Sequence, residues 1–407
     1  MLPDKHSSKK RFTNSEQNNE KGFGPFLLIQ FRLPVLKGIF TDHQKLMKIL
    51  LLIRNFDFGG AENHVCDLAN ELHDLGHQIV VVSGKGRQQD RLNSNIIHYK
   101  GAFSNLKVFF QTIRIIRIIH RHQIDLIHAH QRLPLLSGAV ASRITGKPVV
   151  GTIHSMLKQD VKLKWLRKNL TKIIVVSENS LKGTQNDPLL KSKSIFIPNG
   201  IVLTETPLAK SPSTLKFCYV SRMNNRHTGL IGMLLEQIWP IVIEKYPEAV
   251  LTIVGNGIGM PELQKIVQDE KYKCWVHSVR FSGYVENIAS EIKNASLVFG
   301  VGRVAQESLA LGVPVLSVKS NRMGPLITQS NFESLQYGNF VDIEAREPDI
   351  HSFMLKIDDF VAHQEFYKNE TIELSKRIAN SRNIKEIIAS TVQIYSDLLQ
   401  DKIQINH

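Results

Sequence analysis

"KILLLIRNFDFGGAENHVCDLANELHDLG" (48–76) decides how the rest of the chain is read. After Lys48, an unbroken apolar run over 49–53 meets a turn containing Gly59 and Gly60. Val65, Leu68, Ala69, Leu72 and Leu75 then recur at helical spacing until Gly76 closes the helix. A strand that is apolar at every position, rather than at alternate ones, is covered on both faces. That describes a parallel sheet with helices packed on each side.

Outward from this unit the alternation continues. "QIVVVSG" (78–84), "DLIHAH" (125–130), "KPVVGTIHS" (147–155), "KIIVVSE" (172–178) and "SIFIPNG" (194–200) read as strands, with helices over 104–122, 135–145 and 161–171. A Pro-, Ser- and Thr-rich linker, 204–214, precedes a second cycle. Its strands are "LKFCYVSR" (215–222), "AVLTIVGNG" (249–257), "VRFSGYV" (279–285), "SLVFGVG" (296–302) and "VPVLSV" (313–318), with helices over 230–247 and 261–271. The tail, 349–403, reads as helix alone. Two doubly wound α/β domains are expected, facing each other across a cleft at the carboxyl ends of their strands.

Length and composition agree, since 407 residues with 42% hydrophobic and 22% charged side chains suit two soluble-type domains. Cys66, Cys218 and Cys274 are far apart, which argues against a disulfide framework or a zinc site. The net charge of +14 is concentrated in one half. Residues 1–210 carry 31 Lys and Arg against 15 Asp and Glu, whereas 211–407 carry 20 against 22. A basic first half suits an anionic membrane surface or nucleic acid. With no helix-turn-helix, zinc-finger or RNP-like pattern, no nucleic acid is expected. The most apolar segment, 22–40, is interrupted by Arg32, Pro34 and Lys37, so it reads neither as a membrane span nor as a signal peptide.

Several strand ends carry chemistry. The Gly59-Gly60 turn opens a helix, whose N-terminus favours phosphate; it is neither G-x-G-x-x-G nor a Walker loop. His128, His130 and His154 end neighbouring strands, and the first two share a face. No third metal ligand stands at a familiar spacing, so no metal is expected. Arg222 lies just past a strand, with Arg226 and His227 behind it, placed to hold a diphosphate. Gly255 in "VGNG", "FSGYV" with its Tyr284, and Gly302-Arg303 in "FGVGR" add glycine-bearing strand ends in the second half, as backbone contact with a nucleotide requires. Glu307 is the one acid in "VGRVAQESLALGVPV" (301–315).

The order of the Gly-Gly-Ala-Glu turn, "DLIHAH", "TIHS", "IIVVSE", "IPNGI", "VSR", "LTIVGNG", "FSGYV" and "ESLALGVPVLS" resembles the family-four retaining glycosyltransferases of the GT-B fold, from about Met47 to about Val318. The resemblance implies sugar transfer from a nucleotide-diphosphate donor, a UDP- or GDP-sugar, with retention of configuration and with neither metal nor cofactor. It implies a glycan or lipid-linked acceptor of the cell envelope and a cytoplasmic place, peripheral on the inner face of the membrane. Carried over by position, Glu307 binds the donor ribose, Arg222 the diphosphate, and His154 and His130 contact the sugar or acceptor. Gly60, Gly302 and Arg303 meet the donor, with Arg226, His227, Gly255 and Tyr284 around it; His154 and Arg222 are the catalytic candidates.

The implied organisation is a disordered or peripheral extension (1–46), a basic acceptor domain (47–205), a nucleotide-sugar domain (206–385) and a final helix packing back toward the first domain (386–407). Two positions depart from the family pattern: His227 stands where a lysine is usual, and Phe299 where a second glutamate is usual. A "GR-x-x-x-E" arrangement, present here, replaces that glutamate pair in some relatives. The competing readings are a nucleotide-sugar 2-epimerase and a catalytically silent binding subunit of the same fold.

Overall fold

The computed structural model describes residues 46–57, 59–154, 161–202, 214–342 and 345–405, with side chains as far as residue 401. The expected extension over 1–46 and the linker over 204–214 lie, but for Leu46 and Thr214, outside the described residues.

The first half forms one seven-stranded sheet from β1 (Lys48–Ile53), β2 (Gln78–Ser83), β3 (Ile97–Lys100), β4 (Leu126–His130), β5 (Val149–Ile153), β6 (Lys172–Val175) and β7 (Ser194–Phe196). The order is β3-β2-β1-β4-β5-β6-β7 and every pairing is parallel. The apolar run of β1 serves both faces. Ile49, Leu51 and Ile53 pack with Val65, Leu68 and Leu72 of α1 (Gly60–Asp74). Leu50 and Leu52 pack with Ile115 and Ile119 of α2 (Val108–His122) and Ala139 of α3 (Arg132–Thr145). Each such side chain removed from water contributes about 1.5–3 kcal/mol.

The second half repeats the plan with six strands: β8 (Lys216–Val220), β9 (Val250–Val254), β10 (Val279–Gly283), β11 (Leu297–Gly300), β12 (Val315–Lys319) and β13 (Arg322–Leu326). Their order is β10-β9-β8-β11-β12-β13, parallel except for β13, which runs against β12. The alternation of apolar runs had not marked β3 or β13. β3 is short, at the sheet edge and only half-buried; β13, "RMGPL", carries a proline that only an edge tolerates.

The final helix, Ile384–Ile405, leaves the second half and buries Ile387, Ile388, Val392 and Tyr395 in the same core as Ile49 and Leu68. Where it begins, the two chain crossings between the lobes are paired. Ile201 donates its N–H to Arg382 O at 2.8 Å, and Ile384 donates to Ile201 O at 3.2 Å. Among the described residues, no helix is long and apolar enough to cross a membrane.

Candidate active site in the interlobe cleft

In each sheet the chain reverses direction beside the first strand of its half, between β1 and β4 and between β8 and β11. Loops diverge at such a point and leave a crevice beyond the strand ends. The two crevices meet in one cavity of about 650 Å³. Gly59, Gly60, Asn63 and Arg91 line it from the first lobe; Arg222, Gly255, Tyr284, Gly302, Arg303 and Glu307 line it from the second.

At Gly59 the two lobes come close, although the nearest atoms are the ends of the flexible Arg222 and Glu62 side chains. A Cβ there would sit 1.2 Å from Arg222 Nη2. Gly60 faces open space and begins α1. Gly255, with φ at +135°, is compulsory, since a Cβ would fall 1.8 Å from the backbone Ser221 O. Gly302, with φ at +58°, takes the left-handed conformation that launches the helix Arg303–Ala310. Its own N–H is engaged by Asn339 O at 3.0 Å. The first intrahelical bond is Gln306 N–H to Gly302 O, so the amides of Arg303, Val304 and Ala305 have no partner within the helix. The anion-binding capacity therefore belongs to the residues after Gly302 rather than to Gly302 itself.

Charged side chains join the lobes. Arg222 Nη2 donates to Glu62 Oε2 at 3.0 Å, and Gln131 Nε2 donates to Glu62 Oε1 at 3.1 Å. Arg303 donates through Nη1 to Asp67 Oδ2 at 2.7 Å and through Nε to Glu307 Oε1 at 2.5 Å. Asp67 also accepts from Arg91 at 3.0 Å. Burial works against a charge on Arg303, but Glu307 and Asp67 outweigh it and raise its affinity for the proton. Glu307 thus has one oxygen committed to Arg303 while its side chain still borders the cavity.

His227 sits in a side recess with Arg222, Asn224 and Lys319. Its Nδ1 lies 2.7 Å from Asn224 Oδ1, and burial, then Lys319, Arg222 and Arg226, push its pKa down. The shift disfavours the charged imidazolium, so His227 does not replace the cation of the usual lysine. Lys319, at the end of β12, brings an ammonium to the same recess from a different strand. Arg226 is exposed and lines neither this recess nor the main cavity.

His130 and His154 do not line the cavity either. They lie in a buried group with His64 of α1 and His128. His130 Nδ1 and His154 Nε2 are 3.0 Å apart. His64, His130 and His154 each bring a ring nitrogen within 4.8 Å of the others, the kind of group that can hold a metal ion. His64 is the third member that spacing along the chain did not reveal. His128 is committed elsewhere, to Tyr395 Oη at 2.6 Å and Thr152 Oγ1 at 2.7 Å. Burial lowers the pKa of His64 to about 4 and of His128 to about 3, and holds His130 and His154 well below their ordinary value. All four rings are neutral at pH 7.

Phe299 is in the core of the second lobe, stacked on Phe217 with ring centroids 5.8 Å apart and against Phe353. No polar group stands at that register, and the Arg303–Glu307 pair lies in the helix that follows the loop after β11.

Two parallel-sheet lobes, a shared cleft and a helical tail define the GT-B glycosyltransferase fold. The family model described as Glycosyltransferase Family 4 matches residues 58–205, and that described as Glycosyl transferases group 1 matches 214–335. Together they span more than half of the chain, which belongs to the family-four type of glycosyltransferase. Among similar proteins, the gpi3 subunit of phosphatidylinositol N-acetylglucosaminyltransferase from Schizosaccharomyces pombe is 24% identical over 300 residues, covering 64% of this chain and 63% of that protein. A component of the same transferase from Arabidopsis thaliana is 26% identical over 235 residues, with 52% of its length covered, so the chain spans only part of these relatives. An Escherichia coli UDP-Gal:alpha-D-GlcNAc-diphosphoundecaprenol alpha-1,3-galactosyltransferase is 25% identical over 330 residues, covering 74% of this chain and 82% of that one. Among solved structures, Anabaena Alr3699/HepE in complex with UDP and glucose superposes with a TM-score of 0.67 at 18% identity, covering 86% of this chain and 99% of that one.

Proposed function

We propose that this protein transfers a sugar from a nucleotide-diphosphate donor to a glycan or lipid-linked acceptor, with retention of configuration. The observation that carries the reading is the cavity shared by Arg222, Glu307 and the free amides after Gly302. A diphosphate needs cations and N–H donors, and a ribose diol needs a strong acceptor; the second lobe presents both on one wall. UDP is the favoured carrier, because HepE binds it in this fold and the E. coli relative is named for UDP-Gal.

As the bond to the sugar breaks, charge builds on the departing phosphate. Arg222, Lys319 and the amides of the helix Arg303–Ala310 stand ready to stabilise it. No nucleophilic carboxylate faces the expected sugar position from β11, where Phe299 is turned into the core. Retention is then best served by same-face attack assisted by the leaving phosphate. His154, held against His130 away from the cavity, is neutral and carries no part of this step. The excess of Lys and Arg in the first half supports a place at an anionic membrane surface.

Calorimetry with UDP, GDP and their sugars tests this. Selective binding of one nucleotide, lost in Arg222→Ala, is expected; no nucleotide affinity in a folded protein would instead support a silent GT-B protein, the reading that the position of Phe299 favours.

A further inference from the structure

The main cavity does not end at Arg222. A second groove of about 970 Å³ continues from Arg222 and Glu62 along the first lobe, past Gln131 to Arg54, Arg132 and Lys162. Among the described residues, none of these three cations has a side-chain hydrogen bond or ion pair. Through Asn105, Arg132, Leu133 and Lys162, the groove runs into a smaller one whose walls are Val108, Leu136, Leu163 and Leu166. Beyond it, the start of α2 and the helix Lys164–Asn169 present large apolar side chains to solvent. Phe109 is 67% exposed, Phe110 71% and Trp165 44%, and Leu106, on the wall of the first groove just before α2, is 90% exposed.

The sequence of surfaces is therefore cleft, cations, apolar channel, bare aromatics. Such an order has no use for a free sugar, which brings neither the charge nor the hydrocarbon. It matches an amphiphile end to end. The anionic head pairs with guanidinium and ammonium groups. The tail removes apolar surface from water, and the aromatics beyond rest at the interface of the lipid the tail comes from.

We propose that this track is the acceptor site, and that the acceptor is a membrane lipid whose head ends in a terminal phosphate or diphosphate rather than a phosphodiester. The head is held by Arg54, Arg132 and Lys162 and the tail lies between α2 and the helix Lys164–Asn169. The inference rests on the transferase reading and goes further by fixing the acceptor class and its path.

Tryptophan fluorescence reads it directly. Trp239 and Trp275 are buried, so of the chain's three tryptophans only Trp165 can meet lipid. The full-length protein is titrated with brominated phosphatidylcholine vesicles containing polyprenyl phosphate, with matched vesicles containing phosphatidylglycerol, and with phosphatidylcholine alone. Strong quenching by the polyprenyl phosphate vesicles above both others is expected. Arg132→Ala with Lys162→Ala should weaken that binding about ten-fold or more, as loss of charged hydrogen bonds to a phosphate does. Phe109→Ser with Phe110→Ser should weaken it by about as much, through lost apolar burial. Equal quenching by phosphatidylglycerol vesicles, or a dimer that buries Trp165 without lipid, overturns the proposal. A thermal shift of the unsubstituted protein with UDP is run in parallel. A shift without quenching sinks the acceptor track alone, and no shift sinks the transferase reading beneath it.

Discussion

Arg222 and Glu62 stand on opposite walls of the cleft with Nη2 and Oε2 3.0 Å apart, so the guanidinium suited to a diphosphate already holds a carboxylate. Donor binding must then displace or share that contact. The Arg222 side chain is 51% exposed, so the pair contributes only about 0.2–1 kcal/mol. Glu62→Gln keeps the shape, removes the competing charge and should tighten UDP binding by roughly two- to five-fold. Calorimetry showing weaker binding would mean that Glu62 assists the donor rather than opposing it.

Glu307 should behave in the opposite sense. Glu307→Ala removes the carboxylate proposed to accept from the donor ribose and frees Arg303, and donor affinity should fall by about 1.5–3 kcal/mol. Glu307→Gln should fall less, because one amide oxygen still accepts. Equal affinities for all three proteins would reduce Glu307 to a partner of Arg303.

Asp67 joins the lobes from a buried position, pairing with Arg303 at 2.7 Å. Asp67→Asn keeps an acceptor but leaves two guanidinium groups under-compensated. A loss of about 2–4 kcal/mol in urea unfolding is expected, less than a fully orphaned charge would cost because Glu307 remains. A change below about 0.5 kcal/mol would show that the cleft opens readily without this pair.

The buried histidines set an acid limit. In the unfolded chain they titrate near 6.5, while in the folded protein burial holds His64 to about 4 and His128 to about 3. Between those values the unfolded state binds more protons, so stability is full above 6.5 and falls as pH drops toward 4. Each such group removes about 1.4 kcal/mol per pH unit across the window. Thermal midpoints measured from pH 7 to pH 4.5 should decline steeply, and the decline should be shallower in His64→Gln. A flat profile would mean that the four rings are solvated.

The lobes, most strand positions and the cleft's glycines were legible because buried parallel strands write continuous apolar runs and strand-end glycines punctuate them. Edges were not: β3 and β13 are half-exposed and lack that signature. The interlobe partners Glu62 and Asp67 were hidden for another reason. On α1 they look like ordinary helix-face acids, and only the facing lobe gives them Arg222 and Arg303. Lys319 was missed similarly, as it reaches the His227 recess from a strand 92 residues further along. His64 lies in a helix whose apolar positions told the story without it. Arg226 was over-read, since adjacency in sequence to Arg222 does not carry it into the cleft.

The paired crossings at Ile201 and Arg382–Ile384 also limit how the halves can travel. A body tethered by one strand of chain can swivel in any direction, whereas one tethered by two strands laced together turns about the line they define. Opening and closing should therefore be a jaw movement pivoting at that seam, with the widest excursion on the far side of the mouth. A break in either strand would convert a hinge into a loose tether, even with every residue of the cleft unchanged.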